Sequence, residues 1–305
     1  MAGGPDAARI VPRKRFGQHF LVDRAAIEAI VAAIDPRPDD RLVEIGPGTG
    51  ALTVPLLARL GTMDAVEIDR DLAASLRRRF GDRLRLHQQD VLGFDFGALA
   101  GADGRIRVVG NLPYNISSPL LLHLTRFTAQ VIDQHFMLQK EVVGRITAEP
   151  GGDMGRLTVM LQAWYEVETL FDVAAEAFDP PPKVESSIIR MLPRPAPLTR
   201  AIATLQALLA VGFSQRRKMI RNTLGKWLRL HHPGLDLAAA AEREPLLQPF
   251  TELTRRAEEI PVASWCALAD LLGKGVLSRP AASPGPARSG SRRDLSRKQS
   301  RCCRP

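Results

Sequence analysis

The chain has little of what would settle its function class at once. Its 305 residues include three cysteines, two of them adjacent near the end, too few for a disulfide framework and consistent with a reducing cytoplasm. No apolar run approaches membrane-spanning length, and the N-terminus lacks the hydrophobic core of a signal peptide. There is no Walker loop, no nucleophile elbow and no zinc signature. His123 and His135 lack carboxylate or cysteine partners at a metal-ligand spacing, so both read as structural and no metal is expected. Acid is scarce at the C-terminal end, where residues 278–305 carry eight Lys/Arg against one Asp, a net of +7. With a total of +9, that leaves +2 for residues 1–277, so the basic excess is mostly a tail property. A hydrophobic content of 45 % in a chain of this length suits one large domain plus a smaller one.

In chain order, residues 1–12 read as a loose leader. Residues 13–21 are basic and aromatic together and end in His19-Phe20-Leu21; they read as a basic arm with a hydrophobic staple, or as a lid over a ligand that also touches RNA. Asp23 predicts an N-cap for a helix over 24–34, where Ile27, Ile30, Val31 and Ile34 recur at helical spacing. A strand over 41–45 runs into Gly46-Pro47-Gly48-Thr49-Gly50, and a helix follows through Leu52, Leu56, Leu57 and Leu60. Glycine there allows positive φ and close approach of a ligand to the main chain. Gly46, Gly48 and Ala51 also satisfy a dinucleotide-binding pattern. A second strand over 63–67 ends in Glu67, 21 positions after Gly46, where an acid meets ribose hydroxyls in nucleotide-binding βαβ units. Strand, glycine turn, helix, strand and acid in register predict an adenosine-containing cofactor. A helix over 70–79 and a strand over 84–87 lead to Asp90, which is either a turn residue or a contact for the adenine amino group.

The β-branched run 106–109 predicts a buried parallel strand that delivers Asn111-Leu112-Pro113-Tyr114 to the same sheet edge. Pro113 stiffens the loop. It can then present the Asn111 side-chain carbonyl and the Leu112 main-chain carbonyl to an exocyclic NH2, with Tyr114 as a flat face for its ring. The bland alternative is a strand-to-helix turn, with Ser118 as N-cap and Pro119 opening the helix. A further strand over 131–138 and helices to about 163 follow, with Gly151-Gly152-Asp153 as a loop. The segments 165–173 and 186–192 read as an antiparallel edge pair. Between them Phe178-Asp179-Pro180-Pro181-Pro182 forms an extended loop. Phe178 is either buried core or a second stacking face opposite Tyr114. After a linker at 193–197, residues 199–277 read as helices. Six basic residues and no acid lie from Gly212 to Arg229, among them Arg216, Arg217, Lys218 and Arg221, a one-sided run that favours phosphate contact. Residues 278–305 read as disordered.

From about Phe16 to Leu272 these motifs resemble the bacterial small-subunit ribosomal RNA adenine N6-dimethyltransferases, the KsgA/RsmA family. The run Gln215-Arg216-Arg217-Lys218 points to this family rather than to methyltransferases at large. The resemblance implies an α/β fold, a Rossmann-like class I methyltransferase sheet over 13–193 with a small all-helical RNA- and ribosome-binding domain over 199–277. It implies S-adenosylmethionine as cofactor and dimethylation of two adjacent adenosines in the 3′-terminal hairpin of 16S rRNA within the assembling small subunit, by a cytoplasmic monomer. Carried over by position, His19, Leu21, Gly46, Glu67, Asp90 and Asn111 would meet the cofactor. Asn111, Leu112, Tyr114 and Phe178 would serve catalysis, and Arg216, Arg217, Lys218 and Arg221 the RNA. His19 departs from the Asn common in the family. The alternatives are a large-subunit rRNA methyltransferase of the antibiotic-resistance type, a glutamine-amide methyltransferase, and a mainly non-catalytic assembly factor on the same scaffold.

Overall fold

The computed structural model describes residues 19–101 and 104–276, with main chain only at 274–276. The predicted leader, the basic residues of 13–18 and the tail 278–305 lie outside the described residues. The first half of the chain alternates strand and helix: β1 (Phe20–Leu21), α1 (Arg24–Ile34), β2 (Leu42–Ile45), α2 (Thr53–Leu60), β3 (Met63–Val66), α3 (Arg70–Phe80) and β4 (Leu84–His87). Then come α4 (Phe96–Ala100), β5 (Ile106–Asn111), α5 (Ser117–Leu124), β6 (Val131–Gln139), α6 (Lys140–Ile146) and α7 (Arg156–Gln162). An antiparallel section follows with β7 (Tyr165–Val173), β8 (Phe178–Asp179) and β9 (Ser186–Pro193). The last described stretch is helical: α8 (Ile202–Gly212), α9 (Leu224–His231), α10 (Leu237–Arg243) and α11 (Val262–Val276).

Seven strands form one sheet in the order β4-β3-β2-β5-β6-β9-β7. From β4 to β6 all neighbours are parallel, whereas β9 runs antiparallel between β6 and β7. The chain moves outward from β2 to β4, then returns to lay β5 on the other side of β2. That reversal is the topological switch point, and ligands bind at the carboxyl ends of the strands beside it.

Side chains alternate between the faces, as a period of two requires. Val43, Ile45, Val108, Phe136, Leu138, Ile189 and Met191 join one hydrophobic cluster, and Leu42, Val109, Met137 and Ile188 join the other. The second cluster is closed by α1 and α2 through Ile30, Val31, Ile34, Leu56 and Leu57. The first runs from the strands through α5 and α7 into the C-terminal helices, where Leu205, Leu208, Phe250 and Trp265 are buried in it. The helical part is further tied to the sheet part by Gly151 N donating to the Glu258 carbonyl at 2.8 Å. Because both faces are covered, the central strands are nearly continuous in apolar residues.

Two local expectations fail. Helix α5 begins at Ser117, with Ile116 as its N-cap, so Ser118 lies inside the first turn and caps nothing. The basic run after α8 is helical only in part: Arg216, Arg217 and Lys218 lie between short 3-10 turns at Phe213–Gln215 and Ile220–Asn222, Met219 bridges to Arg256, and only Lys226 and Arg229 sit in α9.

Candidate active site

Strand β2 ends in a turn that only glycine adopts without strain, with φ of +65° at Gly46 and +58° at Gly48. A Cβ at Gly48 would come 3.3 Å from the Phe20 ring, so β1 lies directly over this turn. The turn is held from below by the end of β3. Gly46 N donates to the Val66 carbonyl at 2.9 Å, and Glu67 accepts from Gly48 N at 3.3 Å and from Asp69 N at 2.9 Å. Glu67 is buried, and burial raises its pKa from the ordinary range even though these main-chain donors oppose the shift.

Beside it, β5 approaches β2 so closely that a Cβ on Gly110 would sit 2.5 Å from the Ile45 carbonyl oxygen. Glycine at 110 therefore sets the gap between the two strand ends that face the cavity. Next along the chain, Asn111 is half-buried, and its Nδ2 donates to the His19 carbonyl at 3.3 Å, leaving its side-chain oxygen as an acceptor. Leu112 N donates to the Met137 carbonyl at 3.2 Å, which anchors the loop to β6. The Tyr114 hydroxyl and Ser186 Oγ share a hydrogen bond of 3.0 Å, and the ring stacks with His19 at a centroid distance of 5.9 Å.

These groups surround one cavity of about 330 Å³. The predicted His19, Leu21, Gly46, Glu67, Asp90, Asn111, Leu112 and Tyr114 all line it. Asp90 is exposed and its carboxylate accepts from Leu92 N at 2.9 Å, so it is a turn residue that also faces the cavity.

Phe178 requires a correction. It pairs with Leu21 across β8 and β1, is 3 % exposed, and packs in the hydrophobic cluster with Leu21 and Val173. Here it packs as core and does not line the cavity. The ring that meets Tyr114 is His19 instead. Of the basic run, Arg216, Arg217, Lys218 and Arg221 are all exposed, and Arg216 also donates to the Met154 carbonyl at 3.1 Å, which ties the helical part to the sheet part. His123 Nε2 lies 2.9 Å from the Phe94 carbonyl, and since a carbonyl only accepts, the ring donates. His135 is buried, and burial lowers its pKa to about 4. Among the described residues, no group of three or more His, Cys, Asp or Glu is placed to hold a metal ion.

Two contributors to this site were not singled out from the sequence. Ser186 is fully buried and fixes the Tyr114 hydroxyl from 72 positions away, which no spacing rule detects. Glu44 lines the cavity at 2 % exposure, accepts a 2.6 Å hydrogen bond from Thr53 Oγ1, and has its pKa pushed up to about 7, chiefly by burial. A signal for Glu44 did exist: an acid inside the apolar run Leu42-Val43-Glu44-Ile45 of a strand covered on both faces has nowhere to go but inward.

The family model described as "Ribosomal RNA adenine dimethylase" matches residues 11–245. A protein of Methylibium petroleiphilum named "Ribosomal RNA small subunit methyltransferase A" is 54 % identical over 267 residues, covering 87 % of this chain and 98 % of the relative. A protein of the same name in Bordetella bronchiseptica is 54 % identical over 275 residues, covering 88 % and 98 %. Among solved structures, a dimethyladenosine transferase from Plasmodium falciparum superposes with a TM-score of 0.66 at 25 % identity, covering 85 % of this chain and 98 % of the other. The 23S rRNA methyltransferase ErmE gives a TM-score of 0.62 at 26 % identity, with 82 % and 98 % covered.

Proposed function

Because the chain belongs to the ribosomal RNA adenine dimethylase family, we propose that it transfers methyl groups from S-adenosylmethionine to N6 of two adjacent adenosines in the 3′-terminal hairpin of 16S rRNA, during small-subunit assembly. The observation that carries this reading is the convergence of the glycine turn, Glu67 and the Asn111–Tyr114 loop on one cavity at the switch point of the sheet.

The cavity suits the cofactor. Positive φ at Gly46 and Gly48 keeps side chains out of the wall, and Glu67 offers carboxylate oxygens suited to ribose hydroxyls. Ile45, Val66, Ile68 and Leu92 add apolar wall suited to an adenine ring, and Asp90 adds an acceptor for its amino group. His19, Leu21, Gly46, Glu67, Asp90 and Asn111 would hold the molecule. When bound, S-adenosylmethionine supplies a sulfonium methyl.

The protein's task is then to make a poor nucleophile attack in line. The lone pair of adenine N6 is delocalised into the ring. The Asn111 side-chain oxygen and the Leu112 carbonyl accept the two amino protons, favour a pyramidal nitrogen and aim its lone pair into the cavity. Tyr114 stacks on the base and offsets part of the cost of extruding it, at roughly 1–3 kcal/mol per stacked face. The reaction draws on positioning rather than on a dedicated base. Arg217, Lys218 and Arg221 are exposed on the helical part and would meet rRNA phosphates.

The direct test incubates the purified chain and labelled S-adenosylmethionine with small ribosomal subunits from cells lacking the activity. Label is expected in two adjacent N6,N6-dimethyladenosines of 16S rRNA. Incorporation into large subunits instead would favour the resistance-type reading. Glu67→Ala should weaken cofactor binding in the same preparation, and NAD should give the wild type no thermal protection. Protection by NAD but not by S-adenosylmethionine would return the glycine turn to a dehydrogenase reading.

A further inference from the structure

Helix α3 ends against the rim of the cavity, and that end is strongly basic. From Leu72 to Gln89 the sequence holds five arginines, Arg77, Arg78, Arg79, Arg83 and Arg85, and one acid, Asp82. All five arginines are exposed. Asp64 neutralises Arg85 at 2.6 Å, which leaves four arginines against Asp82, a local net of +3. Residues 1–277 carry only +2 in total, so charge is concentrated here rather than spread over the fold. The helix dipole favours cations in a last turn, but it amounts to roughly half a charge, less than these arginines bring.

A helix turns by about 100° per residue. Leu72, Ala73 and Leu76 are buried, so Arg78 points away from the core with Arg77 and Arg79 on either side of it. Hydrogen bonds fix where the flanking pair goes. Arg77 donates to Gln88 Oε1 at 3.1 Å and to the Leu86 carbonyl at 3.4 Å, and Gln89 and Asp90, which follow, line the cavity. Arg79 Nη1 donates at 3.0 Å to the carbonyl of Thr49, itself in the cavity wall. A Cβ at Gly50 would come 3.2 Å from the Phe80 ring, so the end of α3 lies directly on the glycine turn. Arg83 donates to the Leu57 and Gly61 carbonyls at 2.6 and 3.1 Å. All these acceptors are neutral. They orient the guanidinium groups without cancelling their charge, and each fork keeps donors to spare. Arg78 makes no hydrogen bond or ion pair with the described residues.

Planar forks held in place by neutral acceptors suit the phosphate oxygens of a polyanion. We propose that the end of α3, through Arg77, Arg78, Arg79 and Arg83, is a second phosphate-binding surface, which holds the backbone of the same rRNA whose adenosine enters the cavity. This rests on the reading of the cavity as an rRNA methyltransferase site. Leu76 and Phe80 pack α3 into the second hydrophobic cluster, on one face of the sheet, whereas the helical part joins the first cluster on the other. The RNA is thereby gripped from both faces of the sheet, by α3 and by Arg217, Lys218 and Arg221.

Two variants of the full chain leave the bond from Arg79 to the cavity wall in place: Arg78→Gln, which has no bond within the described fold to lose, and Arg77→Gln combined with Arg78→Gln. Arg37→Gln is the control, since Arg37 is exposed and precedes β2, at the sheet edge away from the cavity. Binding to small subunits that lack the modification is followed across a salt series. The S-adenosylmethionine dissociation constant, by calorimetry, and methyl transfer are measured beside it. The slope of log K against log salt should become shallower by roughly 0.9 for the single variant and roughly 1.8 for the double. The KM for subunits should rise, with kcat and cofactor affinity unchanged, and Arg37→Gln should keep the wild-type slope. The surface is refuted if the double variant keeps that slope, if Arg37→Gln flattens it equally, or if the loss follows weakened cofactor binding. Loss of binding to phosphatidylglycerol vesicles, with subunit binding unaffected, would assign the patch to a lipid surface and refute it as well. A wild type that methylates small subunits while the slope ignores both α3 variants overturns the surface and leaves the proposed function standing. A wild type that transfers no methyl group overturns the methyltransferase reading itself, and the proposal with it.

Discussion

Replacing Glu44 by glutamine keeps the shape of a buried side chain and removes its charge. The carboxyl is 2 % exposed, and burial, the largest cause, pushes its pKa from 4.5 up to about 7. The 2.6 Å hydrogen bond from Thr53 opposes that shift, and the neighbouring Glu67 charge adds to it. The folded value lies above the unfolded one, so between pH 4.5 and 7 the folded chain holds a proton that the unfolded chain has released. The linked stability is present at low pH and is lost as pH rises through about 7. A displacement of this size corresponds to on the order of 3 kcal/mol. Glutamine can still accept from Thr53 and has no proton to lose. Glu44→Gln should therefore match the wild type near pH 5 and exceed it by up to about 3 kcal/mol at pH 8. Urea unfolding at several pH values between 5 and 8.5 measures the difference directly. Parallel stability curves, or a variant that is weaker at pH 8, would show that the carboxylate is stabilised in its charged form and that burial does not dominate.

Three further outcomes follow from the site. Asn111→Ala should lower methyl transfer by orders of magnitude while subunit binding survives; near-normal turnover would remove the acceptor role. Tyr114→Phe and Ser186→Ala break the same 3.0 Å hydrogen bond, so each should cost about as much as the other and the double variant no more; additive losses in a double-mutant cycle would mean that Ser186 acts elsewhere. Reversing charge at Arg217 and Lys218 should abolish productive docking, whereas deleting residues 278–305 should weaken non-specific RNA binding and leave dimethylation intact. For every RNA phosphate that a variant no longer neutralises, the slope of log K against log salt should become shallower by roughly 0.9. Activity that depends on the tail and ignores the helical-part variants would place recognition in the wrong segment.

What the sequence made legible was local. Helix α1 spans Arg24–Ile34 with the Asp23 side chain accepting from Ala26 N, as its cap and spacing predict. Strand β7 occupies Tyr165–Val173, the segment its pattern marks out. The glycine turn, Glu67 and the Asn111 loop reach one sheet edge because parallel βαβ units bring strand ends together, a rule that needs no coordinates. The failures are of another kind. Residues 199–277 read as helices, but at 213–222 a bridge from Met219 to Arg256 and two short 3-10 turns win over local propensity. The start of α5 differs from expectation because Ile116 already has helical dihedrals, which removes Ser118 from the cap. Phe178 has two readings that its own neighbourhood could not separate. Its burial follows from the pairing of β8 with β1, a contact between residues far apart in the chain. The same pairing region brings His19 to Tyr114, which no spacing of one residue from the other could reveal.

Dimethylation of adenosine in 16S rRNA is the activity proposed for this chain. Mass spectrometry of 16S rRNA from cells lacking the gene tests it most directly. Two adjacent unmethylated adenosines are expected in the 3′-terminal hairpin, restored to N6,N6-dimethyladenosine by the wild-type gene and not by Asn111→Ala. Full dimethylation of both adenosines in the deleted strain would contradict it.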